Sequence, residues 1–385
     1  MKIMYLLPAG LFNAAGMERV TTIKANYLAD ACNYDVSIVT TEQMGRPVFY
    51  PLSDKVHLYH LDIGINENYG KESYLRKIIT RFVKVSAYRK KLGELLFQVR
   101  PDITVSTLGG WDIEFINDFK DGSIKVGELH FPGNYRELSA RKLHNSFFPV
   151  FIGQIMTLSF KRKCKKLARL VVLTEEEKTY WKEPNNVEVI PNPLPFVAQR
   201  FSTTKNKKAI AVGRLAYEKG FDLLIEAWGK VAVRHPEWEL MIYGNGPEKE
   251  ALSELIGKNK LDKVVKLHAP VDNIYEVYPD YSMLIFPTRY LDSFGMVIIE
   301  AMSCGVPAIA SGASCCGPKD LIQDGVTGFL ADAGNRDEFA ATIQVLIESD
   351  RLREEMGKAA LKFSANFQME KIMKRWVQLF EKLKK

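Results

Sequence analysis

The sequence predicts an α/β protein with two domains, each built around its own parallel β-sheet. The chain has 385 residues, which is long for a single hydrophobic core. Short runs rich in Val and Ile alternate with helical patterns, as expected for βαβ units whose strands are buried on both faces. The alternation restarts after a proline-rich connection, "VIPNPLPF" at 189–196, which indicates a second sheet.

The expected elements follow in chain order. The first domain, 1–193, is predicted to hold a helix from about Gly16 and strands at 2–8, 35–40, 102–107, 123–129 and 170–174. The second domain, 194–363, is predicted to hold helices at about 220–234, 247–257 and 294–303, and strands at 208–215, 239–244, 264–269, 283–287, 307–311 and 328–331. A final helix, 364–385, is predicted to pack back on the first domain. Its apolar face consists of Phe367, Ile372, Trp376, Leu379 and Phe380.

The composition is typical of a globular protein, with 46% hydrophobic and 26% charged residues. The apolar part of the opening "MKIMYLLPAG" is short and charged residues follow closely, so we interpret it as a buried first strand and not as a signal peptide. The five cysteines, which include the adjacent pair Cys315–Cys316, show neither a disulfide framework nor zinc-type spacing. We therefore expect a protein of the reducing cytoplasm.

A phosphate site is predicted where the first strand of the second domain ends. In "VGRLAYEKGF", Gly213 and Arg214 follow the strand, and Lys219 precedes a helix that starts near Gly220. Helix N-termini attract anions, and ligands of parallel sheets bind at the carboxyl ends of the strands. Either cation alone would suit a surface ion pair, but the set favours phosphate. The stretch "YGNGP" repeats the arrangement at Gly244, although such turns use glycine in any case.

The stretch "YLDSFGMVIIEAMSCGVPAIAS", 290–311, places Glu300 inside a nearly continuous apolar helix. A carboxylate there is costly to bury unless something pairs with it. Ser293 is the expected N-cap. Asp292 lies on the order of 12 Å from Glu300 along the helix axis. The two carboxylates of a glycosidase lie roughly 5–9.5 Å apart, so this pair better suits the two ends of an elongated ligand with a pyrophosphate between them.

These motifs together resemble a known family. The set "GRLAYEKG", "YGNGP", "DSFGMVIIEAMSCGVPAIA" and "DGVTGFL" is similar to the retaining glycosyltransferases called family four, which have the GT-B fold. The similarity is dense over about 187–363 and looser over the first domain. The family has two Glu residues separated by seven others, whereas here the first position is Asp292. Because Asp is one methylene shorter than Glu, this departure affects which hydroxyl of the donor sugar the carboxylate contacts.

The resemblance implies two Rossmann-like domains facing across a cleft, with a nucleotide-sugar donor held mainly by the second. It implies that Glu300 holds the ribose hydroxyls, that Arg214 and Lys219 hold the diphosphate, and that Asp292 approaches the donor sugar as a catalytic residue. Backbone amides are expected to assist at the diphosphate. They belong to Phe294, Gly295, Met296 and Val297.

In the first domain the resemblance assigns a loop and a histidine. Gly16 and Met17, in "PAGLFNAAGMERV", match a loop near the donor phosphate and the acceptor, although a plain tight turn also explains the glycine. His130 ends a strand and is expected to be catalytic, by donating a hydrogen bond to the sugar or orienting the acceptor. A purely structural histidine is the alternative. Further positions that match the family's site are Thr174, Asn192 and, beside the base pocket, Arg289.

The implied reaction moves a hexosyl group from a nucleoside-diphosphate sugar, with UDP expected, to a glycan or polyprenyl-linked sugar in bacterial surface polysaccharide biosynthesis. The anomeric configuration is retained. The sequence has no Asp-x-Asp motif, so we expect neither a metal nor another cofactor. Two alternatives stay open: a GT-B synthase with a soluble sugar or sugar-phosphate acceptor, and a degenerate nucleotide-sugar-binding scaffold.

Positive charge is concentrated in two stretches of the first domain. Residues 71–91 hold eight basic residues against one acid, and residues 161–169 hold six against none, directly after the apolar run 147–160. That run is too short to span a bilayer, but 147–169 and 71–91 would suit an anionic membrane surface. Two solvated helix faces are the alternative, and nucleic-acid binding is not expected because no recognised motif is present. We expect a cytoplasmic protein, peripheral on the inner face of the cell membrane.

Overall fold

The computed structural model describes residues 1–65, 74–138, 147–182, 186–290, 292–312, 317–332 and 334–385, and only the backbone of 74–78 and 147–149. The chain forms two compact units. The first consists of Met1–Pro195 and Met369–Lys385, and the second of Phe196–Gln368. The pair Cys315–Cys316 and the start of the basic stretch at 71–91 lie outside the described residues.

The first unit contains a seven-stranded parallel sheet in the order β3-β2-β1-β4-β5-β6-β7. Its strands are β1 Lys2–Leu7, β2 Asp35–Thr40, β3 Val56–His60, β4 Ile103–Ser106, β5 Ile124–Glu128, β6 Arg169–Val172 and β7 Val187–Val189. Five of these match the predicted strands. The sequence did not predict β3 and β7, because both are edge strands, only partly buried and without a continuous apolar run.

The second unit contains a six-stranded parallel sheet in the order β10-β9-β8-β11-β12-β13. Its strands are β8 Lys208–Val212, β9 Glu239–Tyr243, β10 Val265–His268, β11 Met283–Phe286, β12 Ala308–Ser311 and β13 Gly328–Ala331. All six were predicted: the four inner strands are largely buried apolar runs, and the edge strands β10 and β13 are only partly buried. In both units the strand order reverses beside the first strand, between β1 and β4 and between β8 and β11.

Helices connect the strands on both faces of each sheet. In chain order they are α1 Gly16–Asp30, α2 Tyr74–Val99, α3 Phe147–Cys164, α4 Glu175–Tyr180, α5 Phe221–Arg234, α6 Lys249–Lys258, α7 Ile274–Val277, α8 Met296–Ser303, α9 Pro318–Leu321, α10 Arg336–Ile347, α11 Asp350–Ser364 and α12 Met369–Lys384. Strand β1 shows how the core is divided: Ile3, Tyr5 and Leu7 pack into one apolar cluster, and Met4 and Leu6 pack into another on the opposite face.

The predicted C-terminal helix is divided into two parts. Helix α11 ends at Ser364, a 3₁₀ turn covers Ala365–Phe367, and α12 begins at Met369 after the extended residue Gln368. Five apolar side chains of α12 are buried in the first unit, in the same cluster as Ile3 and Tyr5. They are Ile372, Met373, Trp376, Leu379 and Phe380. Phe367 does not join them, because its ring packs on Phe294 of the second unit, with centroids 5.9 Å apart.

Gly220 sets the geometry between β8 and α5. Its φ is +69°, and a Cβ there would overlap the carbonyl oxygen of Pro287, which follows β11. Both facts require glycine, since a left-handed conformation is unfavourable for residues with a Cβ. The turn therefore holds the two central loops of the second unit together.

We expect Gly220→Ala to lower the thermal unfolding midpoint, because the left-handed conformation alone costs about 1–2 kcal/mol and the overlap adds to it. Gly229→Ala is the matched control. Gly229 lies inside α5, its Cβ would meet only Leu261 at 3.8 Å, and alanine there should stabilise by about 0.5–1 kcal/mol. Equal midpoints for the two variants would contradict this account.

Candidate active site

The predicted phosphate- and ribose-binding residues lie in the second unit, around the point where its strand order reverses. The loop after β8 carries Gly213, Arg214 and Lys219, and the loop after β11 carries Arg289 and Asp292 before α8 begins. Strands β8 and β11 are neighbours in the sheet. Because ligands of doubly wound sheets bind at the carboxyl ends of the strands at such a point, this is the candidate site.

The loops after β8 and β9 pack backbone against backbone. The amide of Leu215 donates to the carbonyl of Asn245 at 2.9 Å. A Cβ on Gly244 would overlap the carbonyl oxygen of Gly213, whereas a Cβ on Gly213 would meet only the ring of Phe221, at 3.4 Å. Packing alone thus explains the glycine at 244 and does not explain the one at 213.

Both predicted phosphate-binding cations form ion pairs in the second unit. The guanidinium of Arg214 donates to Glu218, and the Arg214 side chain is 66% exposed. The ammonium of Lys219 donates to Oδ2 of Asp292, and both side chains are largely buried. The structure therefore brings Lys219 and Asp292 together, although they are 73 positions apart. Arg214 stays at the surface, where it can swing towards an anion.

Helix α8 begins differently from the prediction. Its N-cap is Gly295, with φ of +88°, and not Ser293. A Cβ on Gly317 would overlap the backbone of Phe294, so the chain turns tightly against the next loop before α8 starts. The first amides of any helix have no acceptor within it. Those of Met296 and Val297 belong to this first turn, and both residues are half-buried.

Glu300 lies one helical turn after Met296 and is 3% exposed. The hydroxyl of Tyr278 donates to its Oε2 at 3.4 Å, and the hydroxyl of Ser303 donates to its backbone carbonyl at 2.7 Å. The carboxylate of Glu300 also affects a neighbouring thiol. Burial raises the pKa of the Cys304 thiol to about 11, and the Glu300 carboxylate adds to that rise. Glu300 is thus a buried carboxylate directly below the first turn of α8.

Arg289 braces the loop after β11. Its guanidinium donates to both carboxylate oxygens of Asp222, at 2.7 and 2.6 Å, and to the carbonyl of Tyr217 at 2.7 Å. Burial raises the pKa of the Asp222 carboxyl, but the bonds from Arg289 outweigh it and the pKa is lowered. These contacts tie the loop to the first turn of α5, and a role beside a base pocket stays a prediction.

In the first unit, Gly16 is the first residue of α1 and Ala15 is its N-cap. A Cβ on Gly16 would meet no atom within 4 Å, and its φ is not in the left-handed region. A tight turn therefore does not explain this glycine. The side chain of Met17 lies beside the loop after β4, since a Cβ on Gly109 would approach its Sδ to 3.9 Å.

His130 lies two residues after the end of β5 and belongs to a buried group that the sequence analysis missed. Its Nε2 is 3.1 Å from Oε1 of Glu128, and the other oxygen of Glu128 accepts a hydrogen bond from the ammonium of Lys24 in α1. The available signals were weak ones: Glu128 ends a buried strand, and Lys24 interrupts the apolar face of an amphipathic helix. Charges at such positions require partners.

Thr174 caps a helix, and Asn192 is buried in the first unit. Thr174 is the N-cap of α4, and its hydroxyl accepts from the amide of Glu177 at 3.2 Å. Asn192 is 5% exposed, and its Oδ1 has no hydrogen-bond partner among the residues that the structure describes. Capping accounts for Thr174, and a site role for either residue stays a prediction.

A pocket of about 330 Å³ lies in the first unit, and one of its lining residues, Phe131, directly follows His130 in the sequence. It is lined by Leu108 and Gly109, which follow β4, and by Phe131, Tyr135 and Arg136. The rings of Phe131 and Tyr135 meet edge to face, with centroids 5.7 Å apart. Burial lowers the pKa of the Arg136 guanidinium, which lies over the ring of Phe160. Aromatic rings and a guanidinium offer stacking surface and an anion contact.

Helices α2 and α3 present apolar side chains to solvent. Residues 79, 82 and 83 of α2 are 64%, 76% and 64% exposed, and residues 151, 152, 155, 156 and 158 of α3 are 41–55% exposed. Several basic side chains of these helices have partners within the protein. Lys84 and Lys91 donate to backbone carbonyls, and Lys163 pairs with Glu114. Arg162, Lys165 and Lys166 are exposed at the end of α3.

Neither a membrane span nor a metal site emerges from the part of the chain that the structure describes. No helix there combines the length and apolar character needed to cross a bilayer. Within the same ranges, no three His, Cys, Asp or Glu side chains are grouped so that they could hold a metal ion.

Comparison with known proteins agrees with this geometry. Residues 196–363 match the family model of the glycosyl transferases group 1. The chain is 27% identical to an uncharacterized glycosyltransferase of Haemophilus influenzae over 94% of this chain and 96% of the relative. It is 28% identical to the amylovoran biosynthesis glycosyltransferase AmsD of Erwinia amylovora over 96% and 97%.

A solved structure establishes the fold. A mutant of S. aureus TarM, in complex with Fondaparinux, α-GlcNAc-glycerol and UDP, superposes with a TM-score of 0.76 at 17% identity, covering 99% of this chain and 100% of that one. The chain therefore has the GT-B fold. The part of the second unit that contains the paired Lys219 and Asp292 and the buried Glu300 lies within the match to the glycosyl transferases group 1.

Proposed function

We propose that the protein transfers a hexosyl group from a UDP-sugar to a glycan or polyprenyl-linked sugar in bacterial surface polysaccharide biosynthesis, with retention of the anomeric configuration and without a metal. The observation that carries the proposal is the grouping around α8 in the second unit. A buried carboxylate, Glu300, lies one turn after the start of α8, and Lys219 pairs with Asp292 in the loop before that helix. Two similar proteins support the proposal: one is named for amylovoran biosynthesis, which fits a polysaccharide product, and TarM was solved with UDP, which fits a UDP-sugar donor.

In this proposal Glu300 accepts hydrogen bonds from the two ribose hydroxyls. Glu300 is 3% exposed, and its Oε2 lies 3.4 Å from the hydroxyl of Tyr278. A vicinal diol supplies two donors at the spacing of one carboxylate. Each hydroxyl would give the carboxylate one charge-assisted hydrogen bond, and such bonds are worth about 1.5–3 kcal/mol each.

The diphosphate lies at the first turn of α8 and beside Lys219. Loss of the diphosphate is the step with the largest development of negative charge, and helix amides together with fixed cations stabilise that charge without any metal. Lys219 is already oriented by Asp292. Asp292 is one methylene shorter than the Glu of the family, and the ion pair places its carboxylate close to the phosphate-binding cation, from where it meets a hydroxyl of the donor sugar.

The first unit supplies the acceptor contacts and the membrane contact. The pocket lined by Phe131, Tyr135 and Arg136 suits a sugar that carries an anionic group, such as the diphosphate of a polyprenyl-linked sugar. The exposed apolar side chains of α3 lie directly before the exposed Arg162, Lys165 and Lys166. That combination suits the surface of an anionic bilayer, where such an acceptor resides.

The first experiment is a calorimetric titration of the purified chain with UDP and GDP. We expect UDP to bind, and Glu300→Gln to weaken its binding about 10- to 100-fold, because the ribose hydroxyls lose a charged acceptor. Glu250→Gln, at an exposed position in α6, is the matched control and should leave binding unchanged. Equal affinities of the Glu300 and Glu250 variants for UDP, or no nucleotide binding by the wild type, would contradict the donor site.

Transfer is tested with a panel of UDP-sugars and with polyprenyl-linked, glycan and soluble acceptors in excess EDTA. We expect full activity with EDTA, a product anomer equal to that of the donor by NMR, and a fall in kcat of about 10²–10³ for Lys219→Gln. Lys249→Gln, exposed at the start of α6, serves as control. Preference for a sugar phosphate would favour the synthase alternative. Tight UDP binding without any turnover would favour the scaffold alternative.

Membrane association is tested by co-sedimentation with anionic and zwitterionic vesicles. We expect binding to anionic vesicles at low salt, lost at high salt, since each basic residue at the surface contributes about 1 kcal/mol. The double variant Ile155→Gln/Leu158→Gln in α3 should bind several-fold less. Val233→Gln, at an 83% exposed apolar side chain of the second unit, should bind like wild type. Absence of the wild type from the anionic vesicle pellet would rule out this contact.

A further inference from the structure

Leu108 lines the pocket of the first unit in a backbone conformation that is unfavourable for a residue with a Cβ. Its φ is +57°, in the left-handed region, and the residue is 1% exposed. The left-handed conformation brings the Cβ too close to a backbone carbonyl oxygen. Such residues persist only where the surrounding structure holds them, and they cluster at ligand-binding sites. The contacts that hold Leu108 therefore bear on the shape of the pocket.

A chain of two hydrogen bonds holds the loop after β4 in this conformation. The amide of Leu108 donates to the hydroxyl oxygen of Ser106 at 3.0 Å, and the Ser106 hydroxyl donates to Oδ2 of Asp112. Ser106 and Asp112 are both 0% exposed. Because a hydroxyl has one hydrogen and two lone pairs, the carboxyl that takes the hydrogen directs a lone pair to the amide. Asp112 thus acts on the backbone of Leu108 through Ser106.

The carboxyl of Asp112 also borders the other end of this loop. A Cβ on Gly110 would lie 3.0 Å from Oδ1 of Asp112 and would overlap the ring of Pro8, in the loop after β1. The backbone at Gly110 therefore passes between Pro8 and Asp112 without room for a side chain. The segment from Leu108 to Gly110 is held at both ends, and it includes Gly109, which also lines the pocket.

Stability does not explain why Asp112 is buried. In the described part of the chain no cation forms an ion pair with it, and its Oδ1 has no hydrogen-bond partner. Burial raises the pKa of the Asp112 carboxyl to about 6, although the hydrogen bond from Ser106 opposes the rise. At neutral pH the protein therefore buries a charge with little compensation, which is costly and calls for a functional explanation.

The titratable groups packed against Asp112 do not offset its charge. Burial, together with the charge of Asp112, raises the pKa of the Tyr88 phenol in α2 well above its ordinary value. Burial raises the pKa of the Cys164 thiol in α3 to about 12, and the charge of Asp112 contributes to that rise. Both neighbours are therefore neutral at pH 7, and the hydroxyl of Ser106 is the group that stabilises the carboxylate.

We propose that Asp112, acting through Ser106, is a positioning residue for the acceptor: it holds Leu108 in the left-handed conformation and thereby fixes the wall of the first-unit pocket. The use of this pocket by the acceptor rests on the proposed function. The hold depends on the charge, because a hydrogen bond to a carboxylate is stronger than one to a neutral acceptor. The protein thus keeps a carboxyl where a neutral side chain would be more stable.

The first test compares stability with acceptor use in Asp112→Asn. The amide oxygen still accepts from Ser106 but carries no charge, so we expect the unfolding midpoint at pH 7.5 to rise. The midpoints of variant and wild type should converge as the pH falls below 6, because the stability given by a protonated Asp112 is present there and is lost as the pH rises towards 6.

Transfer is measured at pH 7.5 with the acceptor that gives the highest turnover in the panel. We expect the acceptor KM of Asp112→Asn to rise about three- to tenfold, with the donor KM changed by less than about twofold. Asp121→Asn is the matched control. Asp121 pairs with the buried Lys125 and lies outside the pocket lining, so its variant should be less stable and keep the acceptor KM.

The second test is the crystal structure of Ser106→Ala, in which the amide of Leu108 loses its acceptor. We expect Leu108 to leave the left-handed region, and the acceptor KM to rise about tenfold with the donor KM unchanged. Ser123→Ala is the matched control, since the Ser123 hydroxyl also donates to a carboxylate, that of Asp121 at 2.7 Å, and lies outside the pocket lining.

The outcomes separate this inference from the proposed function. A Leu108 that stays left-handed in Ser106→Ala would overturn the positioning role, as would acceptor KM values of the Asp112 and Ser106 variants equal to those of their controls. A midpoint of Asp112→Asn at pH 7.5 no higher than that of wild type would contradict the cost assigned to the carboxyl. If the wild type uses no acceptor, the proposed function fails, and the conformation of Leu108 in Ser106→Ala still decides whether the hydrogen-bond chain holds the loop.

Discussion

Close backbone approach at the carboxyl edge of the second sheet is the constraint on which the candidate donor site depends. Four loops meet there through three close backbone contacts: Gly244 lies against Gly213, Gly220 lies against Pro287, and Gly317 lies against Phe294. Because a Cβ at 244, 220 or 317 would overlap a neighbouring carbonyl oxygen, glycine is needed to bring the loops after β8 and β11 together. Only then do Lys219 and Asp292 come within reach of each other.

Charge compensation organises the residues that this packing brings together. Arg214 pairs with Glu218 within the loop after β8, Lys219 pairs with Asp292 of the loop after β11, and Arg289 pairs with Asp222 in the first turn of α5. The pairs differ in exposure, and exposure decides what each is free to do. Arg214 is mostly in solvent and its pair contributes little to stability. Arg289 donates to both carboxylate oxygens of Asp222 and so links the loop after β11 to α5. Lys219 is intermediate, and it is the cation whose carboxylate partner lies nearest the start of α8.

The first unit compensates a buried charge beside the end of β5. Glu128 pairs with Lys24 of α1, and the ammonium of Lys24 lies 4.2 Å from the ring centroid of Trp376 in α12. Helix α12 is separated in sequence from the rest of this unit by the whole of the second. Its five buried side chains, together with those of α1, cover one face of the sheet around β1.

The sequence by itself determined the strands that are buried on both faces, because their apolar runs allow no other interpretation, and it determined the chemical types gathered near β8, β11 and α8. It did not reveal the edge strands β3 and β7, whose patterns are mixed. It also assigned the N-cap of α8 to Ser293, because capping propensity does not register that the chain turns at Gly295 in a left-handed conformation, where a Cβ would lie 3.0 Å from Ile298. Only the tertiary structure decided the pairing of Lys219 with Asp292 and of Lys24 with Glu128. These contacts join residues 73 and 104 positions apart, and the free energy of burying a charge depends on the partner that folding brings to it, which no local pattern encodes.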